Sequence, residues 1–149
     1  MRLKSLLTYY TAVVFFLGCL PDISAQSGNT LSDSLLAEVE KVLSSFETGI
    51  QRGTIEEFYV HFGSEIYLSF HNGVTGSFSS NQSFFLLKEF FNDYTPIKFT
   101  YSKKKTDTKY PYGIGTLYYN RKGVKGILQV FISLNLESGN CKISQITID

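Results

Sequence analysis

The chain has 149 residues, enough for one domain with a real hydrophobic core, and its formal net charge at pH 7 is +1. A nearly neutral chain has no overall electrostatic attraction for nucleic acid or for an anionic membrane, so composition argues against a nucleic-acid partner. Thirteen Phe and ten Tyr, with no Trp, predict an aromatic core.

Residues 1–25 have the layout of a secretory signal peptide, with a basic start, an apolar stretch and small residues before a cut after Ala25. The uncharged run Leu6–Leu20 is 15 residues long, short of the roughly 20 that a membrane-spanning helix needs. We therefore predict an exported protein, periplasmic or secreted, with no membrane span after cleavage. Residues 26–149 are then a single domain.

Cleavage would leave only one of the two cysteines in the mature chain. Cys19 lies within the predicted signal, and a protein lipid-anchored at Cys19 is the alternative to a freely exported one. Cys141 would have no partner for an internal disulfide. We predict that it is buried as a small apolar residue.

Hydrophobic periodicity predicts a long first helix that starts near Leu31 and ends at Gly53. Its apolar positions recur at spacings of three and four residues along one helical face, at Leu35, Val39, Val42, Phe46 and Ile50. The charged residues of this segment lie largely off that face, which therefore faces the core.

Two sequence patterns predict capping boxes, in which a hydroxyl and a Glu or Gln three residues later satisfy helix-terminal N–H groups. Thr54 and Glu57 predict the start of a short second helix. Ser79 and Gln82 predict the start of a third helix that runs to about Asn92, just before a proline.

Alternating apolar residues predict a strand at 65–70, and the Asn72-Gly73 pair predicts a hairpin turn after it. Alternation also places Ile97 on the same face as Phe99 and Tyr101. Four more strands are expected, at residues 97–102, 112–119, 124–136 and 141–148. Three helices combined with these strands indicate an α+β fold with an antiparallel sheet.

The hairpin between the second and third of these four strands decides which side chains face the core. Asn120 and Gly123 predict a three-residue loop with Asn120 opposite Val124, although a two-residue loop would reverse the faces. The predicted register puts Tyr112, Ile114, Thr116 and Tyr118 on the core face. It puts Leu117, Tyr119, Ile127 and Phe131 on the opposite face, with Phe131 covering Gly113.

Three segments resemble the family called domain of unknown function 4783: SFSSNQSFFLLKEFF at 77–91, Gly113–Leu117, and the ending Ile143–Asp149. The order of elements is similar to that of the nuclear-transport-factor-2-like fold. That resemblance implies three N-terminal helices against a strongly curved antiparallel sheet, a cone-shaped or cystatin-like roll. It implies no activity, because the family has none established.

Enzymes with this fold, such as steroid isomerases and dehydratases, need a carboxylate or an imidazole inside the cone. The positions predicted to face the core contain no Asp, Glu or His, so no catalytic residue is assigned. Glu65 and His71 are expected at solvated ends of a strand, and His61 as a cation at a helix end. Two His without a suitably spaced third ligand do not indicate a metal site, and no cofactor is expected.

These considerations leave three hypotheses about function. The leading one is a non-catalytic exported domain that binds a small apolar ligand or a protein partner. Its pocket candidates are Tyr112, Thr116, Tyr118 and Gln145. The alternatives are an isomerase- or dehydratase-like enzyme with a pocket acid or base, and a dimeric scaffold. The homodimer interface candidates, on the outer sheet face, are Leu117, Tyr119, Ile127 and Phe131.

Overall fold

The computed structural model describes residues 32–137 and 139–149, so the predicted signal peptide and Cys19 lie outside the described residues. The elements in chain order are α1 (Asp33–Arg52), α2 (Glu56–Tyr59), β1 (Phe62–Phe70), β2 (Thr75–Ser79), α3 (Ser80–Asp93), β3 (Thr95–Lys105), β4 (Tyr112–Arg121), β5 (Val124–Glu137) and β6 (Asn140–Ile148). The predicted α+β class is confirmed. None of the described helices is both long enough and apolar enough to cross a bilayer.

Helix α1 forms as its periodicity predicts. Val39, Val42, Phe46 and Ile50 are fully buried along its apolar face. Gly53 ends the helix in the left-handed conformation, with φ 66°, and its N–H bonds the carbonyls of the last turn. The helix packs against β3 and β6.

One of the two predicted capping boxes is confirmed. The Ser79 hydroxyl accepts from the N–H of Gln82 (3.4 Å), and the Gln82 side chain accepts from the N–H of Ser79 (3.0 Å). The other box was wrong, because the Thr54 hydroxyl donates to the Arg52 carbonyl and Glu57 instead forms an ion pair with Arg52 at 3.2 Å. The second helix is accordingly a single turn.

The six strands form one open sheet in the order β2-β1-β6-β5-β4-β3. All neighbours are antiparallel except β1 and β6, which pair in parallel. The predicted hairpin turn at Asn72-Gly73 is present, with Gly73 at φ 96°. We call the side of the sheet that packs against α1 and α3 the inner face, and the opposite side the outer face.

The β4–β5 hairpin has a two-residue loop, so the predicted three-residue loop was wrong. Arg121 pairs with Val124, and the loop residues Lys122 (φ 52°) and Gly123 (φ 85°) are both left-handed, as in a type I′ turn. Asn120 still stabilises the turn, because its side-chain oxygen accepts from the Gly123 N–H at 2.8 Å.

This register reverses the predicted faces of β4 and leaves those of β5 as predicted. A one-residue shift moves every side chain of a strand to the other face. Leu117 therefore lies on the inner face opposite Leu128, and Gly113 lies opposite Ile132 rather than Phe131. The predicted core-facing residues of β4 lie on the outer face instead: Tyr112, Ile114, Thr116 and Tyr118.

Candidate functional site

The space between the helices and the inner face is filled by aromatic and aliphatic side chains. The ring of Phe46 on α1 makes edge contacts with Phe58 at 5.0 Å and with Phe99 at 6.1 Å between centroids. Phe90 of α3 stacks on Tyr94 at 4.5 Å. Among the described residues, the inner face carries no Asp, Glu or His side chain that is buried.

The few polar atoms in this interior already have partners. The buried hydroxyl of Tyr101 donates to the Leu43 carbonyl at 3.0 Å, and burial raises the pKa of this phenol far above its ordinary value. The Ser83 hydroxyl donates to the Phe78 carbonyl at 3.4 Å. Every buried side-chain nitrogen or oxygen in the described part of the chain has a hydrogen-bond partner. The interior therefore offers no unpaired polar group to orient a ligand.

The four predicted pocket residues do not line the interior. Tyr112, Thr116 and Tyr118 lie on the outer face of β4, and Gln145 lies on the outer face of β6, where its amide donates to the Thr147 hydroxyl at 3.3 Å. They share a face, and of the four Tyr118 lines the open recess described below. Their role in binding stays a prediction.

The four predicted interface residues are divided between the two faces. Leu117 is fully buried on the inner face, and the half-buried Tyr119 packs its ring 5.1 Å from that of Tyr94. Ile127 and Phe131 lie on the outer face as predicted. Only the last two are placed where an outer-face contact could use them, and whether they do is untested.

The titratable residues singled out in the sequence are scattered. Glu65 and His71 are both exposed, and Glu65 lies at a groove of about 150 Å³ between β1 and β6. Burial, and then the charges of Lys41 and Lys142, lower the pKa of His61. The neutral imidazole is therefore favoured, and the prediction of a cation at the helix end was wrong.

Cys141 is buried, as predicted. Burial, with the nearby Glu38 carboxylate, raises the pKa of its thiol to about 11. A thiol with such a pKa is not a nucleophile at neutral pH. No cluster of three or more His, Cys, Asp or Glu suited to a metal occurs in the described ranges.

An open, largely apolar recess of about 520 Å³ lies where β3, β4 and β5 meet near the hairpin turn. We call it the terminal recess. Its lining residues are Ile97, Lys98, Tyr118, Tyr119, Lys125, Gly126 and Ile127. Ile97 sits at an irregularity in the β3–β4 ladder between Pro96 and Lys98, so it has no partner in β4 and is 50% exposed. The alternation of β3 is thus interrupted at Ile97, which was predicted to share a face with Phe99 and Tyr101.

Exposed apolar side chains and unpaired cations occur together at this recess. Ile127 is 58% exposed and Ile97 is 50% exposed. Val124, at the start of β5, is 70% exposed but pairs with Arg121 on the other side of the hairpin and does not line the recess. Lys98 and Lys125 form no ion pair with any described residue. Next to them is the hairpin turn with Arg121 and Lys122, and Arg121 stacks over the Tyr94 ring at 4.7 Å.

Sequence reasoning did not identify this recess, although a signal for it exists in the distribution of charge. Residues 33–93 contain nine Asp and Glu against three Lys and Arg, whereas residues 94–149 contain nine Lys and Arg against three Asp and Glu. The near-zero net charge conceals this separation between the helical first half and the β3–β6 half. The terminal recess belongs entirely to the basic half.

Comparison with known proteins places the chain among domains without an assigned activity. The family model described as domain of unknown function (DUF4783) matches residues 43–149, more than two thirds of the chain. A DUF4783 family protein of Bacteroides ovatus is 23% identical with a TM-score of 0.63, covering 71% of this chain and 92% of its own. A DUF4783 family protein of Bacteroides uniformis is 17% identical with a TM-score of 0.64, covering 71% and 94%.

Wider structural similarity concerns the fold alone. A ketosteroid isomerase-like protein of Erwinia carotovora atroseptica is 11% identical with a TM-score of 0.62, covering 79% of this chain and 96% of its own. No curated protein matches the sequence. The predicted nuclear-transport-factor-2-like fold is thereby confirmed, and the fold carries no activity with it.

Proposed function

The chain belongs to the DUF4783 family of domains of unknown function, and from that premise we propose that it is a non-catalytic domain that binds a largely apolar ligand after export. The observation that carries the proposal is the terminal recess, where Ile97, Tyr118 and Ile127 expose large apolar surfaces side by side. Contiguous exposed apolar surface on a small domain is typical of a contact site.

The filled interior supports a binding surface on the outside of the sheet. A ligand inside the cone would have to displace rings such as Phe46 and Phe99, which already contact each other. Such displacement costs the packing that holds the domain together. The terminal recess is already open, and binding there requires no rearrangement of the core.

The enzyme alternative has less support. General acid–base catalysis needs a titratable group beside a bound substrate, and the interior side chains of the described residues provide none. Glu65 lies at its small groove, but this carboxylate is exposed to solvent. The enzyme alternative predicts that Glu65→Gln abolishes turnover of a substrate.

The dimeric-scaffold hypothesis is supported by two of its four predicted interface residues, since Ile127 and Phe131 lie on the outer face. Sedimentation at high concentration tests it directly. A wild-type monomer removes the scaffold hypothesis, whereas a dimer that Phe131→Asp converts to a folded monomer supports it.

The binding proposal is tested by thermal shift and native mass spectrometry against a panel of lipids and sterols. We compare wild type with Ile127→Ser, and use Phe85→Ser as the matched control, because Phe85 is a similarly exposed apolar residue on α3. We expect ligands that bind wild type and the control to be lost from Ile127→Ser. If no panel member binds, or if both variants lose binding equally, the terminal recess is not the binding site.

A further inference from the structure

The terminal recess combines two features that occur together at membrane-docking surfaces. Aliphatic side chains stand exposed at Ile97 and Ile127. Basic residues surround them, with Lys98 and Lys125 in the recess lining and the turn residues beside it. Proteins that lie on a bilayer insert apolar side chains at head-group level while Lys and Arg contact anionic lipids.

We propose that the terminal recess docks this domain on the surface of an anionic lipid bilayer. Ile97 and Ile127 enter the head-group region, while Lys98, Lys122 and Lys125 contact the lipid phosphates. Lysine side chains suit this arrangement, since their long apolar stems can lie along the lipid while the ammonium groups reach phosphate. The inference rests on the proposed function and names the ligand of the same site.

The near-zero net charge does not oppose this docking. Electrostatic attraction to a membrane decays within a Debye length of about 8–10 Å at physiological salt, so the local charge decides. The recess and the adjoining turn carry four cations, Lys98, Arg121, Lys122 and Lys125, and the recess lining contains no Asp or Glu. The acidic residues of the chain are concentrated in the helical first half, and α1 and α3 cover the inner face of the sheet.

A second copy of the chain fits the surface less well. A twofold contact places the same patch on both subunits. It would bring two copies of a patch that contains Lys98 and Lys125 together, and the lining of that patch contains no Asp or Glu to pair with them. Like charges opposed in this way destabilise an interface.

An acidic protein partner also fits less well. Pro96 lacks an N–H, and the Gln51 amide donates to the Phe99 carbonyl at 3.0 Å, so the adjoining edge of β3 is obstructed for the addition of a strand. Lysine is moreover depleted in protein–protein interfaces, where arginine and aromatic residues dominate. Lysine around aliphatic side chains is the pattern of a lipid surface.

Co-sedimentation with vesicles tests the inference. The protein is mixed with phosphatidylcholine vesicles that contain or lack phosphatidylglycerol, at low and at high salt. We expect partitioning about tenfold stronger on the anionic vesicles, and loss of that preference in about 0.5 M NaCl. Soluble glycerol phosphate should not compete, because it has no bilayer. Any contribution of residues 1–25 to vesicle partitioning is the same in every variant, so it cancels when variants are compared.

Matched variants distinguish the contribution of the recess to vesicle binding from the effect of the total charge of the protein. Lys98→Glu with Lys125→Glu should reduce anionic partitioning about tenfold, whereas Lys41→Glu with Lys88→Glu, on the helices, should change it by less than about twofold. Ile127→Ser should weaken partitioning, whereas Val60→Ser should not, although both side chains are similarly exposed. Equal losses in both pairs, or no preference for anionic vesicles, would overturn the inference.

The absence of tryptophan allows insertion to be observed directly. In Ile127→Trp we expect a blue-shifted, quencher-protected emission on adding anionic vesicles, and no change in Phe85→Trp. Unchanged emission in both overturns docking through this surface. Polyglutamate binding without vesicle binding would reassign the recess to an acidic protein. If a lipid or sterol of the panel binds but the protein does not bind vesicles, the proposed function stands and only docking on a bilayer is ruled out.

Discussion

The ring of Phe99 on β3 lies over the bare backbone of Gly115 on β4. A Cβ atom at Gly115 would stand 2.5 Å from two ring carbons of Phe99. Tyr101 lies over Gly113 in the same way, two residues along each strand. The two glycines thus admit aromatic rings from the neighbouring strand, and the Phe99 ring in turn contacts Phe46 of α1. Helix and sheet are joined through this stack.

Replacing Gly115 with Ala tests the importance of this fit. The added methyl group would push against Phe99 from a rigid strand, so we expect a loss of about 1–3 kcal/mol in the free energy of unfolding. Urea denaturation measures it. Thr116→Ala, on the outer face of the same strand, is the control and should cost less. Equal unfolding midpoints for the two variants would contradict the packing account.

Tyr101→Phe should remove the buried hydrogen bond to the Leu43 carbonyl. We expect a loss of about 1 kcal/mol at pH 7, within the usual range for one intramolecular hydrogen bond. The carbonyl of Leu43 left without its partner could raise the loss. Tyr118→Phe, at an exposed phenol on the outer face, is the control and should be nearly neutral.

The same pair predicts a dependence on alkaline pH. The pKa of Tyr101 is raised in the folded protein, so the unfolded chain loses its phenol proton first, near pH 10. Above that pH the folded state binds more protons, and the free energy of unfolding falls as pH rises. Wild type should therefore lose stability faster than Tyr101→Phe between about pH 9 and 11. Parallel curves would show that Tyr101 ionises normally.

The sequence predicted those elements whose local pattern has one interpretation. The apolar periodicity of α1, its glycine end, the Ser79 capping box and the Asn72-Gly73 turn each depend on residues close together in the chain. The resemblance implied the nuclear-transport-factor-2-like fold, and the comparisons with solved structures confirm it. The predictions that were wrong concern backbone conformations that residues close together in the chain do not determine.

Two of these backbone conformations affect the terminal recess. Lys122 adopts φ 52°, a conformation that lysine rarely favours, so the sequence did not indicate a two-residue loop. The conformation of that single residue reversed the faces of β4, and with them the predicted placement of five site candidates on that strand. The irregularity at Ile97 likewise places this apolar side chain at the surface. The near-zero net charge of the whole chain gave no sign of the basic residues that surround it.

His61 provides a test at acidic pH. Burial lowers its pKa in the folded protein below the ordinary 6.5, with Lys41 and Lys142 acting in the same direction and Glu38 opposing them. The unfolded chain then binds the proton first as pH falls, so stability should decline from about pH 7 to 5. His61→Gln should decline less, and His71→Gln, at the exposed second histidine, should follow wild type.

Chemical equilibrium unfolding at several pH values measures this difference. Wild type should lose more stability than His61→Gln, by an amount that solvent screening keeps modest because the imidazole is only half-buried. If His61→Gln and wild type decline in parallel, the imidazole is not buried as the structure places it.

The thiol of Cys141 should resist modification in the folded protein. Its pKa of about 11 and its burial leave little thiolate at pH 8. In a Cys19→Ser background we expect a disulfide reagent to label Cys141 only as fast as the protein unfolds. Rapid stoichiometric labelling in urea is the control, and rapid labelling without denaturant would contradict the burial.

The parallel pairing of β1 with β6 has a consequence for the order of assembly. The β1–β2 hairpin and the β3–β4–β5 meander touch within the sheet only through β6, the last strand to be synthesised among the described residues. A nascent chain that has not yet released residues 140–148 from the ribosome holds two separate half-sheets, with no backbone ladder between them. Completion of the domain therefore waits for a segment that closes the sheet from its middle, and contacts of such long sequence separation form slowly.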